Sequence, residues 1–252
     1  MFPISDDNPE PGRPLVTWAI IAVCIAVFLW EMSLPADEAD RALLQFGAIP
    51  AALFGSMAVG AVPVWATIFT SMFMHASLGH VGGNMLYLWI FGDNVELAMG
   101  RVRFLVFYLV CGAAAALAQA LQAPESIIPL VGASGAISGV LGSYLLIHPF
   151  GRVRVLIMPL PFFVRVVTVP SLVVLGFWFI IQFLSGLSSD GAKGGVAFWA
   201  HVGGFIAGMV LAPIFKRRDV PLLQRGTPRI FDARRGDERR DGGEGPRRGP
   251  WS

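Results

Sequence analysis

Four polar side chains interrupt apolar stretches of the sequence: His80, Asn84, Ser134 and His201. A hydrogen-bonding group in such surroundings is costly, so it marks a functional site by default. A serine hydroxyl becomes a nucleophile when a base within hydrogen-bond reach takes its proton, and His201 is the available base. His80, Asn84 and the Ser134 backbone amide are donors that would stabilise the oxyanion of a tetrahedral intermediate. The residue types therefore indicate acyl transfer by a Ser134–His201 dyad.

The residues around Ser134 suit this chemistry. Gly132-Ala133-Ser134-Gly135 is typical of a turn that leads into a helix N-terminus. Glycine allows backbone conformations that other residues avoid, and the free amides of a helix N-terminus face negative charge. A string of this kind is also common where glycines only pack helices together. The prediction therefore depends on the elements that bring the other three residues to Ser134.

The composition predicts a protein that lies in a lipid bilayer. Apolar residues make up 55% and charged residues 14% of the 252 residues, which is unlike a soluble domain with one core. A membrane-spanning helix requires about 20 apolar residues. Six stretches qualify, of which the fourth is short and rich in glycine: Leu15–Met32, Leu78–Ala98, Phe104–Leu121, Ala133–His148, Val167–Ser185 and Val196–Phe215.

The positions of Lys and Arg predict the orientation, because basic residues remain on the cytoplasmic side of short loops. The segments after the second, fourth and sixth predicted spans carry eight basic residues, against two in the loops on the other side. Both termini are therefore predicted to be cytoplasmic. This topology places the four polar residues at one depth, in the outer half of the bilayer.

Small residues recur every four positions on the fourth and sixth predicted spans. The repeats are Gly135 and Gly139 on the fourth, and Ala200, Gly204 and Gly208 on the sixth. Such faces allow two helices to pack backbone against backbone. This close approach is what the dyad requires, because its serine and histidine lie on these two spans.

The regions outside the predicted spans divide the chain into three parts. Residues 1–14 form a cytoplasmic segment, 15–215 a six-helix membrane domain, and 216–252 a tail with eleven Lys/Arg and six Asp/Glu. The tail has few apolar residues and is predicted to be disordered, with anionic lipid rather than nucleic acid near its arginines. The connector from Ser33 to about Ala76 contains apolar patches broken by proline and glycine, which predicts an interfacial loop.

Other intramembrane chemistries fit the sequence less well. The HExxH spacing of zinc proteases is absent from the sequence. An aspartyl mechanism requires two facing acids within the membrane, whereas Asp93 and Glu96 lie at the inner end of the second span and are predicted to cap a helix or pair with arginine. A transporter would carry polar residues through the full bilayer, yet the inner halves of the fourth and sixth spans are apolar.

Three segments resemble the motifs of the rhomboid family of intramembrane serine proteases. They are His75-Ala-Ser-Leu-Gly-His80-Val-Gly-Gly-Asn84, Gly132-Ala-Ser134-Gly-Ala-Ile-Ser-Gly139 and Gly195-Val-Ala-Phe-Trp-Ala-His201-Val-Gly-Gly-Phe-Ile-Ala-Gly208. The likeness extends over about Leu15–Phe215 and matches a bacterial six-span form, which implies the bacterial inner membrane. It implies an all-α membrane protein with a six-transmembrane-helix bundle. It also implies Ser134 as nucleophile, His201 as general base, and an oxyanion hole formed by His80, Asn84 and the Ser134 amide.

The resemblance further implies a substrate class. Family members cut single-pass transmembrane proteins near the outer end of the helix, without metal or cofactor. The fifth span, with its aromatic residues around Trp178, would be a lateral gate, and the Ser188–Gly195 loop would cap the active site. The alternative is a catalytically silent relative that binds membrane clients, but such relatives usually lack the serine or the histidine.

Two positions depart from the family's pattern. Trp65 is followed by Ala66 instead of arginine, which bears on how the first loop is anchored. Ser138 lies four residues after the serine, where some members carry an aromatic residue that stacks on the histidine. His201 is therefore expected to be held less firmly or in another way. His75 lies near the outer surface and is predicted either to be interfacial or to donate a hydrogen bond that supports the site residues.

Overall fold

The computed structural model of the protein describes residues 2–7, 12–57, 60, 62–160, 163–189 and 195–224. Within these residues the elements are, in chain order, β1 (Phe2–Asp6), α1 (Leu15–Ser33), α2 (Ala36–Phe46), α3 (Pro50–Leu53), α4 (Val64–Thr70), α5 (Leu78–Met99), α6 (Arg101–Gln122), α7 (Ser134–Ile147), β2 (Arg152–Leu160), β3 (Phe163–Pro170), α8 (Ser171–Ser188) and α9 (Phe198–Phe215).

Each of the six predicted spans coincides with a helix, namely α1, α5, α6, α7, α8 or α9. Four of these, α1, α6, α8 and α9, are long and apolar enough to cross a membrane. Helix α7 has only 14 residues, and α5 contains several polar residues. The protein is therefore a multi-pass membrane protein, while the count of six spans stays a prediction.

Helix α7 packs against α5, α6 and α9, and most of its residues are buried. A Cβ added at Gly204 of α9 would overlap the Gly135 carbonyl oxygen of α7, and one at Gly208 would overlap the Gly139 carbonyl oxygen. The backbones of the two helices are thus in direct contact along the predicted small-residue faces. This contact fixes the position of α9 relative to α7.

Glu96 joins the end of α5 to the start of α1. Its carboxylate accepts hydrogen bonds from the N–H groups of Val16 (3.0 Å) and Thr17 (2.7 Å), and from the Thr17 hydroxyl (2.8 Å). The first N–H groups of a helix have no partner within it, so this side chain caps α1. Capping, one of the two roles predicted for Glu96, is thereby confirmed.

The predicted interfacial loop contains three short helices, α2, α3 and α4. The Thr70 hydroxyl donates to the Phe46 carbonyl (2.6 Å), and Ala48 pairs with Leu130 in an isolated bridge. These bonds tie the loop to itself and to the segment before α7. Trp65 is exposed, and its position at the membrane interface stays a prediction.

Strands β1, β2 and β3 form a small antiparallel sheet in that order, which the sequence analysis does not predict. The predicted fifth span begins at Val167, whereas this residue belongs to β3 and α8 begins at Ser171. Val153 and Val155 of β2 are buried between exposed arginines, the alternation of a half-buried strand. The fold is therefore mostly helical rather than all-α.

The first residues of the predicted tail pack against the bundle. The Arg217 N–H donates to the Ala98 carbonyl at the end of α5 (2.9 Å), and the N–H groups of Leu223 and Gln224 donate to carbonyls at the end of α7 (3.0 and 2.9 Å). Residues 216–224 therefore continue the ordered structure beyond α9. Residues 225–252, on which the rest of the tail prediction falls, lie outside the described residues.

Candidate active site

A cavity of about 620 Å³ lies between α5, α7, α8, α9 and the segment that precedes α7. His80, Asn84, Ser134 and His201 all line it. The structure thus brings together the four residues that the sequence analysis predicts to act together. No carboxylate is among the described residues that line this cavity.

Gly132 shapes the turn that leads into α7. Its φ of +118° lies in a region that favours glycine, and its N–H donates to the Ser71 carbonyl (2.8 Å). A Cβ at this position would lie 2.6 Å from His80 Nε2 and 3.5 Å from Asn84 Nδ2. The missing side chain therefore lets the turn approach both predicted oxyanion donors, and Ser134 begins the helix two residues later.

His80 and Asn84 lie one turn apart on α5. The hydroxyl of Ser77 accepts the His80 N–H (3.2 Å) and so caps the start of this helix. Asn84 Nδ2 is buried and has no hydrogen-bond partner among the described residues. A buried donor without a partner is rare and requires an explanation. Asn84 lines the cavity, so this donor is a candidate partner for a negatively charged oxygen bound there.

His75 lies behind His80. The two rings meet edge to face with their centroids 5.2 Å apart, and His75 is buried but does not line the cavity. Its backbone N–H donates to both Glu31 carboxylate oxygens (3.3 and 3.2 Å). Burial, with His80 nearby, lowers the pKa of His75 to about 4, so the ring is neutral near pH 7. The structure thus places the ring of His75 beside that of His80. Its Nε2 has no hydrogen-bond partner among the described residues, so the predicted donor role stays a prediction.

His201 lies in the first turn of α9 and contacts two side chains of α8. Its Nδ1 is 2.8 Å from Gln182 Oε1, and its ring lies beside that of Trp178, with centroids 5.8 Å apart and an interplanar angle of 35°. A carbonyl oxygen only accepts hydrogen bonds, so this contact is a hydrogen bond in the tautomer that carries its proton on Nδ1. In that tautomer the other ring nitrogen, Nε2, can act as a base.

The predicted nucleophile and base come from neighbouring parts of α7 and α9. A Cβ added at Gly135, next to Ser134, would lie 3.9 Å from the Ala200 Cβ, next to His201. Among the described residues, no hydrogen bond joins the Ser134 hydroxyl to the His201 ring. Hydrogen bonds between catalytic groups are often long without substrate and shorten in the complex, so the shared cavity is the relevant observation.

The side chains that hold the His201 ring are not among the predicted site residues. Trp178 is predicted only as part of the gate, and Gln182 is not predicted at all, although an amide within an apolar span carries the same signal as His80 or Asn84. The Ser138 hydroxyl donates to the Ser134 carbonyl of its own helix (2.6 Å). The aromatic residue beside the His201 ring therefore comes from α8 and not from α7. This agrees with one of the two expectations, namely that His201 is held in another way.

Much of the predicted cap, residues 190–194, lies outside the described residues.

Comparison with known proteins gives a family match over most of the same region. Residues 63–218 match the model of the Rhomboid domain. The chain is 30% identical over 206 residues to the Rhomboid protease GluP of Bacillus subtilis, covering 80% of this chain and 36% of that protein.

Other similar proteins also carry rhomboid names. Rhomboid protein 1, mitochondrial, of Saccharomyces cerevisiae is 29% identical over 153 residues, covering 57% of this chain and 40% of that protein. The Rhomboid protease GlpG of Salmonella choleraesuis is 32% identical over 109 residues, covering 43% of this chain and 36% of that protein. The chain thus spans less than half the length of these relatives. The domain match and the identity to GluP establish that the chain belongs to the rhomboid family.

Proposed function

We propose that the protein is a serine-type endopeptidase that hydrolyses peptide bonds of other membrane proteins, near the outer end of a transmembrane helix. The observation that supports this most is the convergence of Ser134, His201, His80 and Asn84 on one cavity. The names of the relatives GluP and GlpG, both rhomboid proteases, point to the same class of reaction.

In the proposed reaction, His201 Nε2 takes the Ser134 hydroxyl proton while Oγ bonds to the substrate carbonyl carbon. The resulting oxyanion accepts hydrogen bonds from the Ser134 amide, His80 and Asn84, which stabilise it more than the starting carbonyl. His201 then protonates the leaving amine as the peptide C–N bond breaks. Water repeats the sequence on the acyl-enzyme and releases Ser134. The residues of this chain suffice for these steps, and the proposal includes no metal or cofactor.

The membrane arrangement belongs to the same proposal. Helices α1, α5, α6, α7, α8 and α9 would form six spans in the bacterial inner membrane, with both termini in the cytoplasm. Ser134 then lies at the outer end of α7, because the helix begins at this residue. Single-pass membrane proteins are the substrate class, since one helix would have to unwind locally to present its carbonyl to the cavity.

The test compares purified wild type with Ser134→Ala and His201→Ala on a model transmembrane substrate. Each substitution should lower kcat by about 10³-fold or more, because nucleophile and base act as a unit. Ser143→Ala is the matched control, because Ser143 is a buried serine of the same helix, outside the cavity. A wild type that binds the substrate without cutting it would instead support a silent relative, and equal cutting by all variants would exclude the dyad.

A further inference from the structure

Gln182 is an amide in the middle of an apolar helix. Its neighbours Ile181 and Phe183 are both exposed on the surface of the protein, where lipid surrounds them in a membrane. A polar group without a partner there is costly, and Gln182 is paired through Oε1 with His201 Nδ1 at 2.8 Å. We propose, on the basis of the proposed function, that Gln182 is a positioning residue that orients His201 for proton transfer.

Helix α8 makes two contacts with the ring of His201. Trp178 and Gln182 are four residues apart and therefore lie on one face of the helix. Trp178 borders the ring at a centroid distance of 5.8 Å and also borders Phe205, one turn further along α9, at 6.1 Å. The indole limits the tilt of the imidazole, and the amide oxygen determines its rotation. Together they leave Nε2 as the unprotonated nitrogen.

The groups around His201 explain why an amide has this role. The elements packed against α9 contribute Ser134 from α7, Trp178 and Gln182 from α8, and, from α6, Gln119, which accepts the Ala200 N–H. The other titratable residues that line the cavity are His80 and Tyr87. Since none of these described neighbours is a carboxylate, Gln182 takes the orienting role that an aspartate has in a three-residue catalytic group. The amide of Gln182 orients the His201 ring without placing a negative charge beside it.

Replacement of Gln182 separates orientation from packing. Gln182→Met keeps a similar volume but removes the acceptor, and it should lower kcat about tenfold while KM stays within about twofold, because one hydrogen bond is lost. Ile180→Met, at an exposed position of the same helix, should leave both constants unchanged. Gln182→Glu restores an acceptor, so it should recover kcat relative to the Met variant.

The pH dependence distinguishes orientation from a structural role. A carboxylate beside Nδ1 stabilises the protonated ring, so Gln182→Glu should move the acidic limb of the rate profile to higher pH by about one unit. The readout is the rate at which a small fluorophosphonate inactivates the protein between about pH 5 and pH 9. This probe reports the reactivity of Ser134 without requiring a transmembrane helix to enter.

The outcomes separate the two proposals. A wild type that neither cuts substrate nor reacts with the fluorophosphonate would overturn the proposed function, and this inference with it. A reactive wild type that is matched by Gln182→Met in kcat and inactivation rate would overturn only the role of Gln182. If the acidic limb of the pH profile lies at the same pH in Gln182→Glu and in the wild type, the role of Gln182 would likewise be overturned.

Discussion

The surroundings of Asn84 predict what this residue does in the proposed reaction. Its amide nitrogen is buried beside the cavity without a partner among the described residues, so an arriving oxyanion would satisfy it. Asn84→Ala should therefore lower kcat by about 10²-fold with little change in KM, because one donor to the developing charge is lost. The loss should be smaller than that of Ser134→Ala, since the other two donors remain.

Kinetics on a transmembrane substrate would check this, with the exposed Gln122→Ala as control. A rise in KM at constant kcat would mean that Asn84 binds the substrate in its ground state, and the oxyanion role would then be wrong.

Gly132 is a second residue at which the surroundings predict the effect of a substitution. Its positive φ, and the 2.6 Å that would separate an added Cβ from His80 Nε2, both oppose substitution. Gly132→Ala should slow fluorophosphonate labelling by about tenfold or more, because the turn and the His80 ring must move apart. Gly82→Ala on α5 is the matched control, since a Cβ there meets no atom within 4 Å. Equal labelling of both variants would show that the turn tolerates a side chain.

At this scale the sequence predicts which four polar residues the structure brings to one cavity. Each of them interrupts an apolar stretch, and the charges of the loops predict a common depth for them. Gln182 obeys the same rule but escapes prediction, because nothing in the sequence indicates which face of α8 meets α9. That orientation is a property of tertiary packing.

At the scale of elements, the contact between α7 and α9 is the main determinant of the site. A Cβ at Gly208 would overlap the Gly139 carbonyl, and a backbone atom cannot move aside as a flexible side chain does. Gly208→Ala should therefore destabilise the protein by about 1–3 kcal/mol and also reduce activity. Thermal unfolding in detergent measures the first effect.

Gly176→Ala on α8 is the control for this substitution, because a Cβ there meets nothing within 4 Å. A Gly208 variant with wild-type stability would contradict the close backbone contact.

The sequence predicts the long helices and the small-residue faces of α7 and α9, but not the sheet. The alternation of Arg and Val in β2 is a strand pattern. It is easily interpreted as a charged loop, because the same arginines also indicate the cytoplasmic side. The partner β1 is separated from β2 by most of the chain, and sequence periodicity carries no information about such a pairing.

At the scale of the whole molecule, the N-terminal strand is joined to the bundle through Asp6. Its carboxylate accepts hydrogen bonds from the Tyr144 hydroxyl (2.7 Å) and Asn94 Nδ2 (2.9 Å). Burial raises the pKa of Asp6 to about 7, above the value of about 3.9 of an unfolded aspartate. The folded state therefore binds this proton more tightly. The stability from this site is complete below about pH 3.9 and is lost as the pH rises through about 7.

The thermal midpoint of the wild type should consequently fall between about pH 5 and pH 8, and Asp6→Asn should reduce that fall by about 3 °C or more. Asp40→Asn, a change at an exposed residue of α2, should keep the wild-type dependence. Parallel curves for the wild type and Asp6→Asn would exclude a buried proton at this position.

The glycine contacts between α7 and α9 have a consequence for how a substrate helix would reach Ser134 in the proposed reaction. Two helices whose backbones touch cannot separate without losing that packing, so Ser134 and His201 are expected to keep their spacing while a neighbouring helix moves. Helix α8 is the element with the most exposed apolar surface beside the cavity, and it also carries the amide that holds His201. In the proposed reaction, a substrate that displaced α8 would therefore meet a base that is free to turn, and cleavage would follow only after the helix had closed around the bound segment.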